Sequence, residues 1–137
     1  MSRRALATSI VLVALGGSLG GVARHALDVL WPVGSFPWGT LAINLVGSAL
    51  LATLPAVGFV QRHHLVPAFL GSGVLGGFTT LSAFSEQTRV LLDRGHDGLA
   101  ASYVVASVGA GLVAVLVLRR VSTPSERAQF EADEGDE

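Results

Sequence analysis

The chain of 137 residues contains no cysteine and no lysine, and only 14 % of its residues are charged. The absence of cysteine excludes disulfides and thiolate metal sites, and it leaves the redox compartment undetermined. All nine basic residues are arginine, and no arginine-rich face interleaved with aromatic residues indicates nucleic-acid binding. Half of the residues are hydrophobic, a balance that excludes a disordered chain and disfavours an ordinary soluble domain.

The formal net charge of −1 hides an uneven distribution of acidic residues. Six of the ten acids lie near the C-terminus, at Glu126, Glu131, Asp133, Glu134, Asp136 and Glu137. Beyond Thr123 the sequence is polar and has no apolar period. We therefore predict a disordered acidic tail over residues 123–137, preceded by a transmembrane domain over residues 1–122.

Four segments are long and apolar enough to cross a bilayer, which takes about 20 mostly apolar residues. They cover residues 5–23, 40–60, 65–92 and 99–118. Two arginines before the first segment are typical of a signal peptide, but its apolar part is long for one and no clean cleavage site precedes a soluble domain. The sequence therefore predicts an all-α membrane protein with four transmembrane helices.

The distribution of arginine leaves the orientation in the membrane open. Four spans place both termini on one side, and that side carries six arginines against three on the other. This difference favours cytoplasmic termini. Two of the opposing arginines, Arg24 and Arg89, lie close to or within a span, so the bias is weak and is compatible with insertion in either orientation.

The third segment contains an interruption, GGFTTLSAFSEQ, at residues 76–87. Because the bilayer core offers no water to backbone groups, such an interruption is tolerated only where protein buries it or where it lines a cavity. We predict that the third helix is broken here. Hydroxyls and phenylalanine ring edges suit a small anion, whereas bare carbonyls such as those of Gly76 and Thr79 suit a cation. The residues predict an ion pathway or a structural ion site, with the ion unidentified.

Three polar residues in the other spans have both a structural and a functional interpretation. Asn44 serves either as an interhelical hydrogen-bonding residue or as a pore-lining donor. Arg24 either extends to the membrane interface or attracts anions to a vestibule. Ser107 shares a helical stripe with Tyr103 and Gly111, a pattern that favours packing over a path.

Small residues four positions apart favour close packing between helices. The glycine pairs are Gly16–Gly20, Gly17–Gly21 and Gly73–Gly77. Packing within the bundle explains each glycine taken alone. Four short helices enclose little interior, however, so we expect an oligomer whose interface builds the functional site.

Two other classes of protein find little support in the sequence. A small proton-coupled exporter of the multidrug-resistance type needs an acidic residue inside its first span, and residues 5–23 contain none. No nucleophile–base set or metal constellation indicates an enzyme, so we predict that the chain is not one.

Three motifs occur in chain order, and a fourth stretch is similar but weakly specific. They are GGSLGGVARH (16–25), FPWGTLAINLVGSALLA (36–52), GGFTTLSAF (76–84) and the less specific YVVAS (103–107). Together they resemble the Fluc/CrcB fluoride channel family. The resemblance implies a dual-topology antiparallel dimer in the cell membrane, with two anion pores lined by both subunits, and passive fluoride export that protects a microbial cytoplasm.

The resemblance also implies roles for individual residues. The residues expected to line the pore are Asn44, Ser82, Phe84 and Ser107. Arg24 matches an arginine of the first helix and is expected in the vestibule. A structural sodium ion at the dimer interface is expected to be held by the backbone carbonyls of Gly76 and Thr79.

Three positions depart from the family pattern GGxTTFSTF and the residues after it. Leu81 replaces a phenylalanine, Ala83 replaces a threonine, and Gln87 replaces a glutamate. The first two changes remove one ring edge and one hydroxyl from the expected path. An alternative prediction follows, in which the chain is a partner subunit that conducts only together with a paralogous chain.

Overall fold

The structure is a computed structural model that describes residues 3–31, 34–63 and 65–134. These residues form helices and no strand. In chain order the α-helices are α1 (Arg3–Leu30), α2 (Trp38–Thr53), α3 (Gly58–Arg62), α4 (Gly76–Phe78), α5 (Leu81–Asp93) and α6 (Asp97–Glu134). A 3₁₀ turn, Leu54–Ala56, follows α2, and a π-helix, Pro67–Leu75, leads directly into α4.

Within the described part of the chain, four helical segments are long and apolar enough to cross a membrane, which confirms the predicted number of spans. They are Leu6–Leu30, Trp38–Ala56, Pro67–Asp93 and Asp97–Leu118. Large apolar side chains remain exposed along them, among them Leu19 at 58 % and Val22 at 69 %. Exposing such apolar surface to water is unfavourable, whereas contact with lipid tails is not. The chain is therefore a multi-pass membrane protein.

The ends of the first two spans differ from the prediction. The first span was expected to end before Arg24, but α1 continues to Leu30. The helix tolerates Arg24 because its guanidinium reaches oxygen atoms of Asp28 and of the third span. The second span ends at Ala56 rather than near residue 60, since the proline at position 55 lacks the amide hydrogen that a continuing helix needs.

The last helix, α6, extends beyond the predicted fourth span. Its backbone is helical as far as Glu134, through most of the segment that the sequence predicts to be disordered. Residues 123–134 include three glutamates and two alanines, which favour helix. Residues 135–137 lie outside the described part of the chain. The division into a transmembrane domain (1–122) and a tail (123–137) stays a prediction.

The helices pack in two groups that meet at the third span. α1 lies along the π-helix and α4, whereas α2 and α5 both contact α6. A small apolar core forms where α5 meets α6, and its buried members are Leu91, Ala100 and Tyr103. Phe36, Leu41 and Phe84 pack around these three residues. This arrangement places the interruption of the third span between α1 on one side and α2 on the other.

Glycines bring α1 into backbone contact with the third span. A Cβ atom on Gly20 would lie 2.7 Å from the amide nitrogen of Phe78, and one on Gly77 would lie 2.8 Å from the Cα of Gly17. Neither site has room for a methyl group. At Gly21, the next residue of α1, a Cβ atom would meet none of the described residues within 4 Å. Some of the predicted glycine pairs thus serve packing inside one chain.

Candidate ion site at the third span

Two residues between α4 and α5 leave the helical conformation. Thr79 has φ −74° and ψ 156°, and Thr80 has φ −146° and ψ 116°, so both residues are extended. The π-helix ahead of them is wider than an α-helix, and it begins at Pro67, which has no amide hydrogen to donate. The two extended residues lie within the polar run at residues 76–87 that the sequence singles out.

The side chain of Asn44 on α2 pairs with the backbone of Thr80. Its Nδ2 donates to the Thr80 carbonyl at 3.0 Å, and the Thr80 amide donates to its Oδ1 at 2.8 Å. The carboxamide thereby satisfies two backbone groups that would otherwise be unpaired at membrane depth. Asn44 thus makes the interhelical bond that the sequence allowed for, and its second Nδ2 hydrogen is left for a further acceptor.

The same interruption releases two backbone carbonyls from helical hydrogen bonding. In a continuous α-helix the amides of Thr80 and Ala83 would donate to the carbonyls of Gly76 and Thr79. Here the Thr80 amide donates to Asn44, and the Ala83 amide donates to Oγ1 of Thr80 at 3.1 Å. Carbonyl oxygens without their usual donors suit a hard cation such as sodium. The donor chemistry at Gly76 and Thr79 therefore fits the ion that the resemblance implies.

A groove of about 660 Å³ runs beside this segment, between α2 and the third span. Its polar groups come from Asn44, Ser48, Ser72, Thr79 and Thr80. Leucines supply much of the remaining surface, and Leu81 at its edge is 78 % exposed. The structure thus brings Asn44 together with Gly76 and Thr79 along one groove.

The other residues expected in a pore lie apart from this groove. Ser82 is exposed, and its Oγ lies 3.2 Å from Oγ1 of Thr80, which links it to the Asn44 pair. Phe84 packs against Tyr103, with ring centroids 5.2 Å apart. Ser107 lies one turn beyond Tyr103 on α6, and its buried hydroxyl finds no hydrogen-bond partner among the described residues.

A second polar network, which the sequence alone did not reveal, connects α2, α5 and α6. The hydroxyl of Tyr103 donates to Oε1 of Gln87 at 2.8 Å, and Nε2 of Gln87 donates to Oγ1 of Thr40 at 2.8 Å. Tyr103 is completely buried. The one available signal was the position of Thr40, a turn before Asn44 on the same face of an apolar helix.

This network predicts that Tyr103→Phe destabilises the protein. The change leaves Oε1 of Gln87 without its donor, at a cost of about 1–2 kcal/mol inside a membrane bundle. Thermal unfolding in detergent, followed by tryptophan fluorescence, measures the change. Ser102→Ala is the matched control, because the Ser102 hydroxyl is exposed and its hydrogen bonds to the described residues lie within its own helix. Equal unfolding temperatures for Tyr103→Phe and the wild type would contradict a stabilising network.

Arg24 lies on α1 beside the end of α4. Its Nε donates to the carbonyl of Gly77 at 3.4 Å, and its Nη1 lies 3.6 Å from Oδ2 of Asp28. The side chain is 32 % exposed, so part of it remains open to the surroundings. The vestibule role expected for Arg24 stays a prediction. Its contact with Gly77 of the third span could not be predicted from the sequence.

The fold defines the class of this protein as a small four-span helical membrane protein, and its third span contains two extended residues within a polar run. The chain belongs to the CrcB family, since the family model described as "CrcB-like protein, Camphor Resistance (CrcB)" matches residues 11–118. This membership confirms the resemblance inferred from the motifs.

Several curated relatives are similar over most of the chain. The fluoride-specific ion channel FluC of Novosphingobium aromaticivorans is 44 % identical over 118 residues, covering 80 % of this chain and 92 % of the relative. FluC of Granulibacter bethesdensis is 43 % identical over 117 residues, covering 80 % and 90 %. FluC 2 of Streptomyces avermitilis is 43 % identical over 103 residues, covering 72 % of this chain and 65 % of that relative, just under two thirds of its length. These relatives are named as ion channels, which are not a class of enzyme.

Proposed function

We propose that this chain is a subunit of a fluoride-specific ion channel that exports fluoride passively and so gives fluoride resistance. The observation that carries the proposal is the polar interruption of the third span in a chain of this family. Relatives at 43 % or 44 % identity are named fluoride-specific ion channels. Beside the interruption, the second Nδ2 hydrogen of Asn44 is left as a donor at membrane depth, and an anion needs such donors when it leaves water.

In the proposed assembly, two copies form a dual-topology antiparallel dimer around their broken third helices. The extended residues Thr79 and Thr80 support the break. The groove beside them supports the dimer, because it holds backbone and side-chain polar groups that lipid cannot satisfy. A second copy seated on this groove would cover both those groups and the exposed Leu81.

The proposed sodium ion would be held by the carbonyls of Gly76 and Thr79 from both copies. The proposal is supported by the loss of their helical donors, the amides of Thr80 and Ala83, to Asn44 and to a threonine hydroxyl. When bound, the ion would offset the partial negative charge of these carbonyl oxygens.

The proposed anion path is lined by Asn44, Ser82, Phe84 and Ser107, with Arg24 as a vestibule cation. Their amide, hydroxyl and ring-edge hydrogens carry partial positive charge, which replaces the water around a small anion. The second amide hydrogen of Asn44 supports this assignment, as does the Ser107 hydroxyl, which has no hydrogen-bond partner in the described part of the chain. None of the four lining residues titrates near neutral pH, which fits passive passage rather than proton coupling.

Fluoride efflux from liposomes that contain only this purified chain tests the proposal. We expect rapid efflux of fluoride and no measurable efflux of chloride under the same gradient. The control is protein-free liposomes, and sodium is present on both sides of the membrane. Chloride efflux as fast as fluoride efflux would contradict fluoride specificity.

A second candidate is a partner subunit that conducts only with a paralogous chain. Leu81 and Ala83 favour it, because they stand where the family pattern has a ring and a hydroxyl. This candidate predicts no efflux from the purified chain alone and recovery of efflux on co-reconstitution with a paralogue. Efflux from the chain alone would exclude it.

A further inference from the structure

The interruption of the third span is held by side chains from two different helices. On the α2 side, Asn44 satisfies both backbone groups of Thr80. On the α1 side, the Nε of Arg24 donates to the carbonyl of Gly77, 53 residues further along the chain. Gly77 is the second of the three residues of α4, so this carbonyl lies where the helix ends.

We propose that Arg24 is a positioning residue, whose guanidinium fixes the end of α4 and thereby the direction of the extended residues Thr79 and Thr80. This role is distinct from a vestibule charge, because it depends on the shape of the guanidinium as well as on its positive charge. The positioning of α4 is inferred from the contacts of Arg24 on α1. The expected effect on conduction rests in addition on the proposed function.

The chemistry of the contact explains why an arginine suits this position. The last carbonyls of a helix lack helical donors and attract cations. In a bilayer an unpaired carbonyl is especially costly. The guanidinium is a planar group with several N–H donors, so it contacts Gly77 through Nε and Asp28 through Nη1. A lysine carries its charge on one nitrogen atom, which does not reproduce the two contacts made by separate nitrogens of the guanidinium.

The packing of α1 places the guanidinium at the required point. Gly20 lies one turn and Gly17 two turns before Arg24 on the same face of α1. Their lack of side chains lets the backbone of α1 touch Gly77 and Phe78. Arg24 is therefore the first long side chain on this face after the glycine contacts, directly beside the end of α4.

Asp28 distinguishes the positioning role from a purely electrostatic one. Its carboxylate lies one turn beyond Arg24 and 3.6 Å from the guanidinium. If Arg24 acted only through its charge, neutralising Asp28 would strengthen the positive field and raise anion flux. If Arg24 acts by position, neutralising Asp28 removes the ion pair that orients the guanidinium, and flux falls.

Amide hydrogen exchange tests the geometry without reference to transport. The full-length wild type, Arg24→Lys and Asp28→Asn are compared in lipid nanodiscs, with His25→Gln as the control at the neighbouring exposed residue. We expect exchange at residues 79–83 to be about fivefold faster in both test variants, with residues 100–107 unchanged. Unchanged protection of residues 79–83 in both variants would overturn the proposal, even if one of them assembled poorly.

Fluoride efflux from liposomes then tests the consequence for conduction. We expect about tenfold slower efflux for both variants, which corresponds to the loss of about one hydrogen bond to a charged group. The sodium concentration that gives half-maximal efflux is expected to rise. The carbonyls of Gly76 and Thr79 lie close in the chain to Gly77, which loses its contact with Arg24. Wild-type efflux for Arg24→Lys together with faster efflux for Asp28→Asn would overturn positioning. If the wild type itself fails to conduct, the proposed function fails and the exchange result still decides the geometry.

Discussion

Asn44→Asp is expected to lower the rate of fluoride efflux about 100-fold or more while the protein keeps its wild-type assembly size. The aspartate retains the bond from the Thr80 amide, but its second oxygen faces the Thr80 carbonyl, where Nδ2 now donates at 3.0 Å. It also puts a negative charge beside the proposed anion path. Two unit charges of like sign 4 Å apart repel by about 4 kcal/mol at an effective dielectric constant of 20.

The measurement combines liposome efflux with size-exclusion chromatography of the same preparation. Ser48→Ala serves as the matched control, because Ser48 lies one turn along the same face of α2 and lines the same groove. We expect Ser48→Ala to conduct at nearly the wild-type rate. Efflux of Asn44→Asp within a factor of about two of the wild type, less than 0.5 kcal/mol, would remove Asn44 from the proposed path.

Gly20→Ala is expected to abolish correct packing of the first span, whereas Gly21→Ala is expected to leave it intact. A Cβ atom on Gly20 would overlap the carbonyl oxygen of Val74 and lie 2.7 Å from the Phe78 amide nitrogen. Both contacts are with backbone atoms, so the helices must separate, at a cost of about 3 kcal/mol. Gly21 has open space at its Cβ position, and alanine there suits the helix better than glycine.

The two variants add the same methyl group at adjacent positions of one helix, so their difference reports the packing alone. The unfolding temperature in detergent and the yield of assembled protein measure the effect. A Gly20→Ala protein as stable as Gly21→Ala would show that α1 does not contact the third span through this glycine.

Much of the fold could be predicted from the sequence because the bilayer restricts which structures can span it. Four apolar segments of sufficient length predict four spans, and the structure has them. The polar run in the third segment was recognisable because a Gly- and Thr-rich stretch has no place on a lipid-facing helix. The role of Asn44 as an interhelical hydrogen-bonding residue was one of two interpretations that the sequence allowed.

The contacts of Arg24, Thr40 and Gln87 did not follow from the sequence. Each depends on how far a helix is rotated about its axis, and that rotation is set by packing against another span. Gly20 fixes α1 against the third span through atoms of Val74 and Phe78, which hydropathy does not report. The continuation of α1 past Arg24 was missed for the same reason, since only a partner across the bundle makes the charge tolerable.

The groups that hold the third span come from earlier in the chain, and this has a consequence for biogenesis. Arg24 and Asn44 precede their partners Gly77 and Thr80 by 53 and 36 residues. Because synthesis runs from the N-terminus, the first two spans are made before the third. The most polar of the four spans is thus made after the two helices that carry its hydrogen-bonding partners.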